Sequence, residues 1–165
     1  MNDRIPHFTV PLPRTPQRND EVVIRAKLKG NAKWFVVNFC LPRPEQMSRN
    51  QRPPYIAYHF GTIFNDDGSS EVVQKWKNCE WKTATVLQNV WLHDRNRKFG
   101  LIFRFDDEVF KVFADNSQHS PEYEFGHQFP YQEIETVELL GDFEYVEEIA
   151  FRYFRKEDED ECPSC

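Results

Sequence analysis

Two side chains suited to ligand recognition, His59 and Trp81, lie in residues 55–81, a segment with the pattern of strand, turn and strand. An imidazole offers a hydrogen-bond donor and an acceptor, and an indole offers a flat apolar surface with one N–H donor. The two faces of the first strand differ: one carries Ile56, Tyr58 and Phe60, and the other carries Ala57, His59, Gly61 and Ile63. The first face is predicted to meet a core, and the second, mixed face indicates a binding surface.

Catalytic and metal chemistry lack a matching group of residues. The five histidines are scattered along the chain, at His7, His59, His93, His119 and His127. No nucleophile elbow, phosphate loop, zinc-helix motif or acid pair is present. The single CxxC motif, Cys162 to Cys165, lacks the second pair of ligands that zinc normally takes, and neither Cys40 nor Cys79 is placed to supply them. We therefore predict a protein that is not an enzyme and that holds no cofactor or metal.

Composition favours a β protein. The chain has 165 residues, 15 of them Phe, with 4 Trp and 6 Tyr, and aromatic residues suit a half-buried pleated surface. Segments with alternating apolar and polar character recur along the chain, and none of useful length has a helical period; they are residues 21–29, 32–41, 99–105, 109–114 and 134–149. Short alternating strands at this spacing predict a two-sheet antiparallel β-sandwich.

The charge distribution limits the classes of partner and suggests a tail. The net charge is −6, and five of the acidic residues lie together in residues 157–161. A near-neutral body with an acidic tail gives no basic surface for nucleic acid or for an anionic membrane. We predict one domain over residues 1–151 and an acidic, disordered tail over residues 152–165.

Sequence features also bear on the compartment. No run approaches the ~18 apolar residues of a membrane span, and the first ten residues lack the apolar core of a signal peptide. Four cysteines are too few to indicate a disulfide framework. The prediction is a cytoplasmic protein without membrane insertion, with non-classical secretion left open.

An ordered series of short motifs resembles the galectins. It includes Pro11-Leu12-Pro13, then Asn31, Ala32, Phe35 and Asn38 on one strand, then the run from His59 to Phe64, Trp81, and the strand of residues 109–114. No single motif is decisive, but the ordered series of matches along residues 6–151 is much more specific than any one of them. The resemblance implies a galectin-type jelly roll, an all-β sandwich with a sugar groove on its concave sheet.

The resemblance also assigns the residues of that groove. It implies that His59 and Trp81 remain as ligand-binding residues, that Asn38 keeps a polar position, and that Lys75 stands where the second strand has Asn. Four polar family positions are replaced, at Gly61, Ile63, Ala84 and Val86. Each unmet polar group costs ~1–3 kcal/mol, against about 4–8 kcal/mol for a millimolar to micromolar ligand. Ordinary β-galactoside binding is therefore predicted to be weak or absent.

Two functions follow from this contrast. The first is a protein-interaction domain with a degenerate galactoside site, because an apolar patch is predicted on the groove face, from Trp34, Val36, Ala57, Val73 and Trp76. The structural alternatives are that Trp81 is a packing residue and that His59 bonds a neighbouring backbone group. For the patch, the alternative to a protein contact is that the loop of residues 42–54 folds over it. A homodimer through edge strands near the termini is the partner that the resemblance implies.

The alternative is a lectin of altered specificity. Lys75, together with Arg43, Arg49 or Arg52 of the loop formed by residues 42–54, suits an acidic or sulfated galactoside. Both functions are recognition without catalysis, and they differ in whether the partner is a protein or a glycan.

Overall fold

The computed structural model describes residues 6–48, 50–82, 85–114 and 120–155. Arg49, Ala84, His119 and the part of the predicted tail from residue 156 onward, with its acidic run and CxxC motif, lie outside these residues. The described secondary structure consists of strands and one 3₁₀ turn: β1 Phe8–Pro11, β2 Glu21–Leu28, β3 Trp34–Cys40, β4 Tyr55–Phe64, β5 Ser70–Asn78, β6 Glu80–Trp81, β7 Thr85–Gln88, β8 Phe99–Phe105, β9 Val109–Ala114, β10 Tyr123–Gly126, the 3₁₀ turn Tyr131–Glu133, β11 Thr136–Gly141 and β12 Phe143–Arg152. Within the described residues no helix has the length and apolar character needed to cross a membrane.

The strands form two antiparallel sheets. The first, called the groove sheet below, has the order β1-β11-β3-β4-β5-β6, and β7 also pairs with β5; the second has the order β10-β9-β8-β2-β12. The predicted all-β, two-sheet antiparallel sandwich is confirmed. The alternation in β2 explains its place, because Val22, Ile24, Ala26 and Leu28 are all fully buried.

Aromatic side chains fill the space between the sheets. Phe39 of β3 and Tyr58 of β4 stack, with ring centroids 6.0 Å apart. Phe103 of the second sheet packs edge-on against Phe39 at 5.1 Å, and Phe110 stacks on Tyr58 at 4.7 Å. Offset and edge-to-face pairs of this kind add stability beyond the buried area alone. The core fixes β3 and β4, and with them the opposite face of the groove sheet.

A β-bulge in β4 reverses two predicted side-chain directions. Phe39 pairs with Tyr58 and Cys40 pairs with Ile56, so Ala57 has no partner on β3. An extra residue of this kind shifts the alternation by one position. Ala57 consequently joins the core cluster, whereas Ile56 lines the groove beside His59. The prediction had placed these two residues the other way round.

The alternating segment of residues 134–149 forms two strands, β11 and β12, that belong to different sheets. Strand β11 pairs with β3 and β12 pairs with β2, so the chain passes from one sheet to the other at Gly141 and Asp142. Gly141 has a φ of 127°, a conformation that side chains with a Cβ rarely adopt. Gly141 therefore lies where the chain crosses from one sheet to the other.

Candidate ligand-binding groove

Four strands of the groove sheet each contribute one polar residue to a continuous row. Glu138 of β11 lies opposite Asn38 of β3, Asn38 lies opposite His59 of β4, and His59 lies opposite Lys75 of β5. Directly opposed residues in antiparallel strands project from the same face. The register therefore brings together three of the predicted site residues, Asn38, His59 and Lys75. It also adds Glu138, which the sequence argument did not single out.

Hydrogen bonds link the row and set the protonation of His59. Nδ2 of Asn38 donates to Oε1 of Glu138 at 2.8 Å. Oδ1 of Asn38 lies 2.8 Å from Nδ1 of His59, and because a carbonyl oxygen only accepts, Nδ1 carries the proton. Nε2 is then an acceptor, and it is buried with no partner among the described atoms. Burial first, then Lys75 and Arg52, lower the pKa of His59 to about 3, so the ring is neutral near pH 7.

Trp81, the fourth predicted site residue, lies between cations and His59. The Nζ atoms of Lys75 and Lys77 stand 4.1 and 5.5 Å from the centre of the indole. The rings of His59 and Trp81 meet edge to face, with centroids 4.9 Å apart. A sugar ring held between two such surfaces needs about 7 Å, since each carbon contact takes about 3.5 Å. The observed 4.9 Å is shorter than this, so the rings of Trp81 and His59 are in contact and no sugar ring fits between them. Trp81 is half-buried by its neighbours.

Burial and a neighbouring positive charge lower the pKa of each of the two lysines beside the indole. Burial, followed by the charge of Lys77, lowers the pKa of Lys75. Burial, followed by Arg52, lowers the pKa of Lys77, with Glu138 acting in the opposite direction. Neither lysine forms a salt bridge in the described structure. A bound anion between them would relieve this repulsion.

Arg52 enters the groove from the long loop. Its guanidinium donates to both carboxylate oxygens of Glu138, and the Nη1–Oε2 distance is 3.4 Å. The side chain of Glu138 is 3% exposed and that of Arg52 is 21% exposed, so this is a mostly buried ion pair. Arg43, by contrast, donates to carbonyl groups of its own loop. Of the two suggested loop arginines that the structure describes, Arg43 and Arg52, it brings Arg52 into the groove.

The replaced family positions have clear local consequences. A Cβ atom on Gly61 would lie 3.1 Å from Nε2 of His59, so a larger residue there would push against the imidazole. Ile63 packs on an apolar cluster formed by Trp34, Val36 and Leu140. Val86 lies on β7 and is 57% exposed. Gly61 and Ile63 therefore offer no side-chain hydrogen-bond donor or acceptor to the groove.

The apolar patch predicted for this face does not form as an exposed surface. Trp34 and Val36 are 8% and 3% exposed, Ala57 faces the core, and Trp76 packs against Phe129 at 5.6 Å between ring centroids. Val73 and Trp76, both on β5, are the predicted members that are half-buried. The enclosed space at the groove centre is about 10 Å³, at the lower limit of what one water molecule needs.

Two residues of the groove escaped the sequence argument although both left a signal. Glu138 is a lone carboxylate within an apolar strand, Thr136–Gly141, and such a residue is almost never buried without a partner. Lys77 follows Lys75 at the two-residue spacing of one strand face. Among the described residues no group of three His, Cys, Asp or Glu side chains is arranged to hold a metal ion.

Comparisons with known proteins agree with this architecture. The family model described as galactoside-binding lectin matches residues 7–151. Galectin-4 of Rattus norvegicus is 28% identical over 140 residues, which are 81% of this chain and 38% of that protein. Galectin-6 of Mus musculus is 28% identical over 127 residues, 73% of this chain and 36% of that protein. This chain thus spans well under half the length of these relatives.

Solved galectin structures have the same fold. A complex of sheep galectin-11 with glycerol superposes with a TM-score of 0.70 at 18% identity, covering 88% of this chain and 96% of that one. A galectin of Caenorhabditis elegans gives a TM-score of 0.70 at 16% identity, covering 92% and 94%. With a family match along most of its length and a sandwich of the same architecture, this chain belongs to the galactoside-binding lectins, the galectins, a family of non-enzymatic carbohydrate-binding proteins.

Proposed function

We propose that this chain is a recognition module whose galactoside site is degenerate and whose groove binds acidic or sulfated glycans at the end around Trp81. The observation that carries this proposal is the position of Lys75 and Lys77, 4.1 and 5.5 Å from the indole centre. An indole contacts the apolar side of a sugar ring, and two ammonium groups beside it attract a sulfate or carboxylate on that sugar. Plain galactosides lack the anionic group.

Two further features support weak binding of plain galactosides. Gly61 and Ile63 supply no side-chain hydrogen bonds, and each sugar hydroxyl left without a partner costs about 1–3 kcal/mol. The contact between His59 and Trp81, at 4.9 Å between centroids, must also open before a ring can enter. Opening that contact costs free energy, and this cost reduces the already small binding free energy of a plain disaccharide.

Calorimetric titration with lactose and with a sulfated lactose tests the proposal. We expect the sulfated sugar to bind at least about tenfold more tightly than lactose, a difference of about 1.4 kcal/mol. Its affinity should fall when salt rises from about 50 to about 200 mM, because salt screens charges near the surface. Trp81→Ala should abolish binding of the sulfated sugar.

The lysines provide the discriminating variants. The double variant Lys75→Gln, Lys77→Gln should lose the preference for the sulfated sugar. Lys98→Gln changes an exposed lysine that immediately precedes β8 and pairs with Glu147, and it should keep that preference. Equal affinity for both sugars in the wild type would contradict the proposal. So would a preference that survives in the double lysine variant.

A protein-binding role is the second candidate, and a different surface favours it. Strand β7, Thr85–Gln88, carries no charged residue and is exposed throughout. Val86, Leu87 and Val90 are 57%, 38% and 50% exposed, and an uncharged apolar edge of this kind invites another chain. The simplest partner is a second copy of this protein.

Analytical sedimentation of two variants distinguishes a dimer contact at β7 from one at the edge strands near the termini. The sequence predicts a homodimer through edge strands near the termini, which include β1 with Phe8, 44% exposed. Self-association lost in Leu87→Lys but kept in Phe8→Lys would assign the contact to β7, and the reverse result would assign it to β1. A wild-type protein that stays monomeric at every concentration would contradict both dimer contacts. Cytoplasmic residence with non-classical secretion stays a prediction.

A further inference from the structure

Glu138 is a buried carboxylate in the floor of the groove, at a position that the galectin resemblance assigns no role. It accepts hydrogen bonds from Nδ2 of Asn38, at 2.8 Å, and from the guanidinium of Arg52. A charge so deeply buried is stable only when its oxygens are well supplied with donors. The three residues therefore form one connected unit rather than separate contacts.

The unit has a direction, because the carboxylate of Glu138 fixes the orientation of Asn38, and Asn38 in turn fixes the tautomer of His59. An ionised carboxylate accepts and never donates, so Asn38 must turn its amide nitrogen towards Glu138. The carbonyl oxygen of Asn38 then faces Nδ1 of His59, 2.8 Å away, and that nitrogen must hold the ring proton. Nε2 is left with its lone pair free, in a side chain that is 2% exposed.

We propose that Glu138 and Arg52 are positioning residues that hold His59 in the tautomer with an open acceptor at Nε2, and so set which ligand group the groove centre takes. A group that donates, such as a hydroxyl, matches this acceptor. A sulfate or carboxylate that only accepts does not, and is directed to Lys75 and Lys77 instead. The ligand assignment rests on the proposed glycan function, whereas the positioning of His59 does not.

The space around Nε2 agrees with a small donor. The enclosed volume lined by His59, Trp81 and Arg52 is about 10 Å³, close to what one water molecule or one hydroxyl takes. Gly61 leaves the space beside Nε2 open because it has no side chain. A Cβ atom at this position would stand only 3.1 Å from Nε2 and would occupy that space. A buried acceptor without a partner costs free energy, and a ligand hydroxyl would remove that cost.

Nitrogen-15 NMR of the histidine rings tests the positioning step without any ligand. In the wild type, His59 should show one protonated nitrogen, Nδ1, and one unprotonated nitrogen, Nε2. In Glu138→Met, Asn38 is free to turn over, and both nitrogens should shift towards averaged values as the two tautomers mix. Glu144→Met is the matched control, since Glu144 pairs with Lys27 on the second sheet and should leave His59 unchanged.

The outcomes separate this proposal from the glycan function. A proton on Nε2 in the wild type would overturn it, and this result needs no variant to fold. An unchanged tautomer in Glu138→Met would overturn it as well. If the tautomer responds as expected, titration of sulfated lactose should show a severalfold loss of affinity in Glu138→Met. If the wild type binds no sulfated sugar at all, the glycan function fails while the positioning of His59 stands.

Discussion

The imidazole of His59 is almost fully enclosed, and its surroundings favour the neutral ring. Lys75 is its direct neighbour across the strand pair, and Arg52 lines the same small space. A protonated His59 would be a third positive charge beside these two and would be repelled, and burial alone already disfavours the charged form. His59, which the sequence predicts to contact a ligand, is therefore also a group whose protonation destabilises the folded chain.

This environment predicts a loss of stability in mild acid. The pKa of His59 is about 3 in the folded chain and about 6.5 in the unfolded chain, so between these values the unfolded chain binds the extra proton. Stability is full above about pH 6.5 and falls by up to about 1.4 kcal/mol for each pH unit below it. Urea unfolding of the wild type and of His59→Gln should show a shallower pH dependence in the variant.

The comparison needs a second histidine variant because other groups titrate in the same range. Burial also lowers the pKa of His127, which adds to the slope of the wild type but not to the difference between the two proteins. His93→Gln changes an exposed histidine and should keep the wild-type slope. An identical slope in His59→Gln and in the wild type would mean that His59 does not couple to folding.

At the scale of elements, regular alternation predicted the strands well and failed where a strand is irregular. In β3, Phe35, Val37 and Phe39 face the core as predicted, because the strand runs without a bulge. In β4 the bulge beside Ala57 exchanges the directions of Ile56 and Ala57. A bulge adds one residue without changing composition, so nothing in the local sequence marks it.

The groove shows the same limit for contacts between distant residues. The sequence gives the identities of Asn38, His59, Lys75 and Trp81, and the register of the groove sheet then brings them together. The pairing of Arg52 with Glu138 joins residues 86 positions apart in the chain. Loop conformation decides that pairing, and neither periodicity nor motif spacing carries information about it.

The passage from β11 to β12 gives a prediction at this scale. A Cβ atom on Gly141 would lie 2.5 Å from Cα of Phe35 and 2.6 Å from the carbonyl oxygen of Trp34. These are backbone atoms of β3 that cannot move aside, and φ is 127° as well. Gly141→Ala should lower the free energy of unfolding by about 3 kcal/mol or more, from strain and overpacking together.

Gly126→Ala is the matched control for this change. The nearest atom to its added Cβ is the end of the Gln128 side chain, at 3.8 Å, an ordinary contact. Urea unfolding should therefore show little loss in this variant. A loss below about 1 kcal/mol in Gly141→Ala would show that β3 can shift to admit a side chain, and the close approach of β11 to β3 there would not be a fixed constraint.

At the scale of the whole molecule, Asp20 ties together segments from both ends of the described chain. It is 4% exposed, and its carboxylate accepts hydrogen bonds from Arg14 at 3.1 Å, from the backbone of Gln17 at 2.9 Å and from the backbone of Phe154 at 2.9 Å. The guanidinium of Arg14 also lies over the ring of Tyr153 at 4.0 Å. These contacts extend beyond residue 151, where the sequence placed the end of the domain.

Truncation at two points tests where the folded unit ends. Ending the chain after Phe151 removes the Phe154 donor and the Tyr153 contact, and it leaves Asp20 buried with fewer partners. We expect a loss of about 1–3 kcal/mol in the free energy of unfolding, the usual cost of an unsatisfied buried polar group. Ending it after Arg155 keeps both contacts and should leave stability within about 0.5 kcal/mol of the full chain.

A substitution at Asp20 checks the same contacts. Asp20→Asn should lower the free energy of unfolding less in the shorter chain than in the longer one, because truncation and substitution remove the same interaction. Equal stability of the two truncated chains would instead support a domain boundary at residue 151.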